Sequence, residues 1–377
     1  IIKMDDKIIL PKSPQNYKDD DDDDDVSSIG TEYSDDMTFV KYTNDFIASL
    51  RNSAFDKGTN DFLKSLIVPI PEEDNKTSNY MYNGKKYNMD IEKIVNLVEP
   101  LIKLQNTIGM TKIKQQIFDM ILYYIQGFET KTSDMLHTSI EGPPGVGKTK
   151  IGRILAQIYH GLGIIPSKRF KRVRRTDLIG KYLGHTAHKT QEVIDEAEGG
   201  VLFIDEAYSL GNGEDKDSFS KECIDTINMN LTEKKKNLIV IVAGYTDQLD
   251  KSFFSMNEGL RRRFPFRFNI KGYDAPELTQ IFYTKIRKLG WKLDREVSQD
   301  YLESFFKTNK EQLNNFGGDI ETIILNCKMT HAKRIMGKPY YNKKIITKDD
   351  FSKAFDKFKN TKNKKEELSD SVKHLYM

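Results

Sequence analysis

The chain has 377 residues, of which 38% are hydrophobic and 31% are charged, so it is polar but still able to bury a core. With only two cysteines, it has neither a disulfide scaffold nor a cysteine-rich zinc site. Its apolar runs are far shorter than a membrane span, and the N-terminus lacks the apolar core of a signal peptide. We therefore expect an intracellular protein of a reducing compartment, with no membrane partner and of cellular or viral origin.

The net charge of +3 conceals an uneven distribution of charge along the chain. Residues 1–40 hold 12 acidic and 4 basic residues, whereas the rest of the chain holds 44 acidic and 55 basic residues. Because the run Asp19–Asp25 repels itself, residues 1–75 are predicted to be a poorly ordered acidic leader. The leader is either a solvated tether or an acidic ligand for the basic remainder. Residues 76–107 are predicted to be a helical lead-in.

Strands and helices alternate from about residue 108 onwards. The predicted helices carry apolar residues at helical spacing, and the predicted strands are short apolar runs that suit a buried parallel sheet. In chain order these elements lie near residues 113–124 (helix), 135–140 (strand), 151–159 (helix), 193–197 (helix), 201–204 (strand) and 238–243 (strand). This order predicts a three-layer α/β domain with a parallel sheet over residues 108–272. Helical periodicity then predicts a small all-α domain over 273–360, followed by a charged tail at 361–377.

A phosphate-binding loop is predicted between the strand near residue 140 and the helix that follows it. The sequence from Gly142 to Thr149 fits the pattern G-x-x-x-x-G-K-[ST] in the strand–helix context that this pattern requires. Lys148 is expected to reach the β- and γ-phosphates of ATP, and the Thr149 hydroxyl to bind Mg²⁺. The predicted nucleotide contacts of the loop are Gly142, Pro143, Pro144, Gly145, Val146, Gly147, Lys148, Thr149 and Lys150.

Two carboxylates follow the predicted strand at 201–204. Asp205 is expected to contact ATP-bound Mg²⁺, and Glu206 to orient and deprotonate the attacking water. With the loop, these residues predict that the protein binds ATP and hydrolyses it.

Residues 108–358 resemble the AAA+ ATPases, and within them the group of red-type rubisco activase and stage V sporulation protein K. Together with the phosphate-binding loop, the resemblance rests on six blocks that occur in the same order, near 108–110, 177–190, 199–210, 243–245, 257–264 and 273–278, and the block 199–210 includes the two carboxylates. It implies a nucleotide-binding domain with a helical lid, a hexameric ring, and a protein partner that is remodelled or threaded through a central pore.

The resemblance also assigns roles to residues outside the two motifs. Ile108 and Gly109 would lie against the adenine. Lys181, Tyr182 and Leu183 match a loop that lines the pore and grips a polypeptide.

Three further roles concern the hydrolysis step. Arg263 matches the arginine finger that reaches the nucleotide of a neighbouring subunit, with Arg262 as the competing choice. Thr246 or Tyr245 would be the first sensor, which positions the lytic water. The arginine expected as second sensor is replaced by Ile320, so either Lys328 or Arg334 substitutes or the lid is coupled more weakly to the nucleotide.

The run from Lys168 to Arg175 has six basic residues in eight. A charged edge strand is the favoured interpretation, and attraction of an acidic polypeptide or a nucleic acid is the alternative. The basic run motivates a rival function as a nucleic-acid-associated ATPase. The missing second-sensor arginine motivates another rival, a nucleotide-gated scaffold with little turnover.

Overall fold

The computed structural model describes residues 79–82, 85–88, 91–125, 135–182, 184–211, 218–235, 237–338 and 344–375. The predicted leader, residues 1–75, lies outside these ranges, and so does Leu183 of the predicted pore loop. Across the described ranges, no helix is both long and apolar enough to cross a membrane.

A five-stranded parallel sheet forms the centre of the first domain, with strand order β4-β5-β6-β3-β7. Its strands are Thr138–Glu141 (β3), Phe170–Val173 (β4), Val201–Ile204 (β5), Ile239–Gly244 (β6) and Phe266–Asn269 (β7). Glu141 pairs with Gly244, and Ile204 pairs with Val242. The carboxyl ends of the central strands therefore meet at one edge of the sheet, where ligands of such folds bind.

Helices cover both faces of this sheet. The α-helices of the domain are Ile91–Gln105 (α1), Thr111–Ile125 (α2), Lys148–Gly161 (α3), Arg175–Leu178 (α4), His185–Ala197 (α5), Ser218–Glu233 (α6), Thr246–Gln248 (α7) and Glu258–Arg263 (α8). Val201 and Phe203 of β5 belong to one buried cluster, whereas Leu202 and Ile204 belong to a second one. Alternate side chains of the strand thus face opposite helical layers, and the predicted three-layer α/β architecture is confirmed.

A β-hairpin precedes α1. Strands Asn79–Tyr82 (β1) and Lys85–Asn88 (β2) pair antiparallel, with Asn79 opposite Asn88. The prediction of a helical lead-in over residues 76–107 is therefore wrong for these strands, although α1 within the same range is helical. The sequence between the strands is Asn83-Gly84, the pair that most favours two-residue hairpin turns, and this signal outweighs a helical reading.

The second domain is helical, as predicted, apart from two very short strands that pair with each other. Its elements are Ala275–Lys288 (α9), Lys292–Leu293 (β8), Gln299–Thr308 (α10), Gly317–Ile335 (α11), Ile345–Ile346 (β9) and Lys348–Leu375 (α12). Phe282, Phe306 and Phe351 form an aromatic triangle with ring centroids 5.5 to 6.2 Å apart. These buried rings join α9, α10 and α12 into one core.

The boundary predicted at residue 361 is not a structural boundary, because α12 continues to Leu375. Lys, Glu and Leu of this segment are strong helix formers, so charge alone does not end the helix. Lys362 lies beyond the predicted boundary and still donates a hydrogen bond to the carbonyl of Gln312 at 2.7 Å.

Candidate nucleotide-binding site

The Gly-rich segment leaves the sheet directly after β3 and leads into α3. β3 is entirely buried and ends at Glu141, and α3 begins at Lys148. Gly145 has a φ of +72°, and a Cβ atom added there would lie 1.9 Å from the carbonyl oxygen of Asn315. Only glycine therefore fits this position. A tight loop leading into a helix N-terminus is the geometry that binds phosphate groups.

Lys148 lies between the loop and the acidic end of β5. Its Nζ donates to the carbonyls of Gly142 and Pro143 at 2.9 and 2.8 Å. Burial lowers the pKa of Lys148, while the nearby carboxylates of Asp205 and Glu206 oppose that shift. The structure thus brings the predicted phosphate-binding lysine and the two predicted acidic residues into one electrostatic environment.

Oxygen ligands suited to Mg²⁺ are present at this site. Thr149 is half-buried in the first turn of α3, and Lys150, which follows it, is exposed. Hydroxyl and carboxylate oxygens, such as those of Thr149 and Asp205, are ligands that Mg²⁺ accepts, usually together with phosphate oxygens. The described residues contain no group of three or more His, Cys, Asp or Glu that could hold a metal by themselves. The site therefore fits a cation that arrives with a phosphate ligand.

Asp205 and Glu206 follow β5 but differ in their surroundings. Asp205 is nearly buried, and its Oδ2 accepts hydrogen bonds from Nε and Nη2 of Arg172 at 3.2 and 2.6 Å. Glu206 is exposed and has a φ of +53°. A left-handed backbone costs a residue other than glycine about 1 kcal/mol. This turn separates the two carboxylates, leaving Asp205 against its neighbours and Glu206 towards solvent.

The two first-sensor candidates follow β6. The ring of Tyr245 lies 5.5 Å from Nζ of Lys148 and 5.6 Å from the ring of Tyr208. The hydroxyl of Thr246 instead accepts a hydrogen bond from the side chain of Asn269 at 3.2 Å. Both candidates lie at the carboxyl end of β6, and of the two it is Tyr245 whose ring lies near the phosphate-loop lysine.

The predicted adenine-contacting turn lies beside the loop and the second domain. Ile108 is half-buried against the main core, and Gly109 has a φ of +65°. A Cβ atom on Gly109 would lie 2.2 Å from Oε1 of Glu277, and one on Gly147 would lie 3.6 Å from Cε of Met110. The turn thus contacts the end of the phosphate loop on one side and α9 on the other.

The second domain also contacts the phosphate loop directly, which the sequence did not predict. The N–H of Gly317 donates to the carbonyl of Gly145 at 3.1 Å, and the Tyr273 hydroxyl donates to the carbonyl of Val146 at 2.8 Å. Burial raises the pKa of Tyr273 to about 12, so this hydroxyl keeps its proton at neutral pH. Three of the four groups in these two hydrogen bonds belong to the main chain, so no sequence motif identifies the contact.

The position of the second sensor is apolar. Ile320 is fully buried in the core that the two domains share. Of the two proposed substitutes, Arg334 donates from Nε and Nη2 to the buried Asp350 at 2.9 Å, which holds it within the second domain. Lys328 is half-buried on α11. Arg334 is therefore a structural residue of the helical domain in this arrangement.

Three consecutive arginines end α8 and differ in their partners. Arg261 forms an ion pair with Asp250 at 2.9 Å. Arg263 donates to the hydroxyl of Thr232 and to the carbonyl of Gly259, both at 3.0 Å. Arg262 is exposed, and among the described residues neither it nor Arg263 is within ion-pair distance of a carboxylate. The positive charges of Arg262 and Arg263 are thus not neutralised by a carboxylate contact.

The predicted pore loop connects α4 to α5. Tyr182 is 67% exposed, and its ring meets that of His185 in the same domain edge-on at 5.5 Å. Lys181 is also exposed. Gly184 has a φ of +81°, which allows the sharp turn into α5.

The basic run at 168–175 forms the edge strand β4 and its flanks. Arg169 donates to the carbonyls of Glu196 and Glu198, and Arg175 donates to Ser209 and Ser220. Several of the positively charged side chains of this run therefore bond to polar groups of the chain itself. This placement agrees with the charged-edge-strand interpretation.

A parallel sheet that delivers a glycine-rich loop, its lysine and a pair of carboxylates to one edge has the geometry of the P-loop ATPases. Residues 139–271 match the family model described as "ATPase family associated with various cellular activities (AAA)", and residues 274–361 match an AAA lid domain.

Similar proteins agree with these matches. A cfxQ-like protein of Acanthamoeba polyphaga mimivirus is 43% identical over 295 residues, which is 77% of this chain and 71% of the relative. Stage V sporulation protein K of Bacillus subtilis is 32% identical over 251 residues, 64% of this chain and 77% of the relative. The chain therefore belongs to the AAA family of ATPases, in the group that contains stage V sporulation protein K and CfxQ-like proteins. The resemblance drawn from the sequence is confirmed.

Among solved structures, the FIGL-1 AAA domain in complex with ADP matches with a TM-score of 0.49 and 21% sequence identity, covering 66% of this chain and 82% of that chain.

Proposed function

We propose that this protein hydrolyses Mg²⁺-bound ATP at the loop of residues 142–149 and uses the energy to remodel a protein partner in a ring of identical subunits. The observation that carries the catalytic part is the shared environment of Lys148, Asp205 and Glu206. Lys148 would hold the β- and γ-phosphates, and Glu206, which is exposed, would accept the proton of the attacking water. Mg²⁺, when bound at Thr149 and Asp205, would supply charge neutralisation at the phosphate oxygens.

The first-sensor role belongs in this proposal to Tyr245 or Thr246. The contact of Tyr245 with Lys148 supports Tyr245, whereas Thr246 also carries a hydroxyl that can donate a hydrogen bond to a lytic water. If Thr246 is the sensor, Thr246→Val should slow turnover more than Tyr245→Phe, and the reverse order would assign the role to Tyr245.

A substrate-gripping pore loop is supported by the exposure of Tyr182. An exposed aromatic ring next to a glycine can wedge between side chains of a polypeptide without reading its sequence. The own-chain contacts of Arg169, Lys171 and Arg175 make a protein partner a better proposal than a nucleic acid. Assembly into a ring, with Arg263 reaching the nucleotide of the neighbouring subunit, completes the proposal.

Replacement of the catalytic base tests the proposal. Glu206→Gln should still bind ATP but should lose turnover by roughly a hundredfold or more, because general-base catalysis contributes about that much. Glu296→Gln is a matched control, since Glu296 is also exposed but lies between β8 and α10 of the second domain. Steady-state phosphate release and nucleotide affinity should be measured for both. Turnover of Glu206→Gln at the wild-type rate would contradict the role of Glu206, and absence of turnover in the wild type would favour a nucleotide-gated scaffold.

A further inference from the structure

Asp205 already has a cationic partner within its own chain. Nη2 and Nε of Arg172 lie 2.6 and 3.2 Å from Oδ2 of Asp205, and Nη2 of Arg174 lies 4.0 Å from the same oxygen. The Asp205 side chain is 12% exposed and that of Arg172 is 42% exposed. A guanidinium that donates two hydrogen bonds to a nearly buried carboxylate oxygen forms a charge-assisted pair and offsets part of its negative charge.

Because β4 is pleated, the neighbouring basic side chains of Lys171 and Arg172 lie on opposite faces of the sheet. Lys171, next to Arg172, forms an ion pair with Glu196 on α5 at 2.7 Å and does not contact Asp205. Side chains that are adjacent on a strand point to opposite faces of the sheet, so Arg172 meets the carboxyl end of β5 while Lys171 faces away from it. The basic run is thus divided between the site and the outer surface.

A guanidinium and a divalent cation at the same carboxylate compete. Both are attracted to Oδ2, and each raises the electrostatic cost of bringing the other close. We propose that Arg172 is a competing counter-ion of Asp205, which neutralises this carboxylate without a divalent cation and releases Oδ2 when Mg²⁺ and ATP bind. The inference rests on the proposed function, because it takes Asp205 to be the carboxylate that faces Mg²⁺.

If Arg172 and Mg²⁺ compete, removal of the Arg172 charge should change nucleotide affinity in opposite directions with and without Mg²⁺. With Mg²⁺ present, removing the Arg172 charge should strengthen nucleotide binding, since Mg²⁺ no longer displaces a cation. Without Mg²⁺, the same change should weaken binding, because the Asp205 charge then repels the phosphates. A residue that only supports the fold would shift both affinities in the same direction.

The test compares Arg172→Gln with Lys171→Gln, which removes the same charge from the adjacent residue. The dissociation constant of a fluorescent, non-hydrolysable ATP analogue is measured in excess EDTA and in excess MgCl₂, so the readout is binding and not turnover. The ratio of the dissociation constant in EDTA to that in Mg²⁺ should rise by roughly 2- to 5-fold in Arg172→Gln, as expected for a partly exposed charge pair. It should stay at the wild-type value in Lys171→Gln.

Arg172→Lys keeps the charge but not the two-donor geometry, so its ratio should lie between those of the wild type and Arg172→Gln. An unchanged or lower ratio in Arg172→Gln, or an equal rise in Lys171→Gln, would overturn this inference but would leave the assignment of Asp205 to Mg²⁺ in place. A wild-type affinity that is the same in EDTA and in Mg²⁺ would instead overturn the assignment of Asp205 to Mg²⁺, and the inference with it.

Discussion

The N–H of Gly317, the first residue of α11, donates to the carbonyl of Gly145 in the phosphate loop across 3.1 Å. This contact joins the lid to the loop at the edge of the nucleotide site. The position where a second-sensor arginine is expected holds the buried Ile320. We therefore expect the main-chain contact between Gly145 and Gly317 to couple the position of the lid to occupancy of the loop.

Gly145→Ala should break this coupling. The new Cβ atom would lie 1.9 Å from the Asn315 oxygen, so either the loop or the start of α11 has to move. We expect nucleotide affinity to fall by roughly tenfold or more and the melting temperature to drop by several degrees, as for other overpacked sites. Nucleotide titration and thermal unfolding measure the two effects.

Gly163→Ala is the matched control for backbone strain. Gly163 has a φ of +73°, nearly that of Gly145, but nothing lies within 4 Å of a Cβ atom added there. The Gly163→Ala substitution should therefore lower the free energy of unfolding by only about 1 kcal/mol and should change nucleotide affinity little. Equal losses of affinity in the two variants would mean that the lid contact has no role in binding.

Arg263→Ala subunits should inhibit mixed assemblies. A finger acts on the nucleotide of a neighbour, so each variant subunit would also inactivate a wild-type site. The ATPase rate should then differ from the rate expected for independent subunits as the variant fraction rises. In mixtures of Arg262→Ala and wild-type subunits, the ATPase rate should equal the rate expected for independent subunits at every variant fraction. If Arg262→Ala inhibits and Arg263→Ala does not, the finger is Arg262.

Tyr182→Ala should reduce stimulation of the ATPase by a chemically unfolded model protein. Tyr182→Phe keeps the aromatic ring and should retain most of the stimulation, because the proposed grip depends on the ring and not on the hydroxyl. Comparing phosphate release with and without the unfolded protein gives the stimulation factor. Equal stimulation of the wild type and Tyr182→Ala would exclude the ring as the gripping element.

His137 should make stability depend on pH. Burial lowers the pKa of His137 from 6.5 to about 4, and its ring bonds the carbonyl of Leu231 and the N–H of Val240. As pH falls below 6.5, the unfolded chain gains a proton that the folded chain does not accept until near pH 4, so the folded state loses stability over this range. The loss between pH 7 and pH 5 should be about 2 kcal/mol.

Urea unfolding at pH 7 and pH 5 measures this contribution. His137→Gln should be less stable than the wild type at pH 7 but should lose less stability on acidification. His188→Gln is the control, since the His188 side chain is 79% exposed. The same pH dependence in His137→Gln and the wild type would contradict the assignment.

Local patterns were enough to predict the nucleotide motifs. The loop from Gly142 to Thr149 and the pair Asp205-Glu206 each lie within a few residues of a buried strand, so composition and spacing identify them. Asn83-Gly84 is a signal for the hairpin of β1 and β2, contrary to the predicted helical lead-in. The charged tail predicted at 361–377 is instead the end of α12, because Lys, Glu and Leu are strong helix formers.

The sequence by itself determined the family and the three-layer α/β architecture and predicts the residues of the phosphate loop, because each of these depends on short-range patterns. Only the tertiary structure decided that Arg172 contacts Asp205, that Gly317 bonds Gly145 and that Arg334 is held by Asp350. These contacts join residues on different elements, and they exist only because strand order and domain packing bring those elements together. The basic run, a surface feature in the sequence, thus has one residue beside the carboxylate proposed to face Mg²⁺.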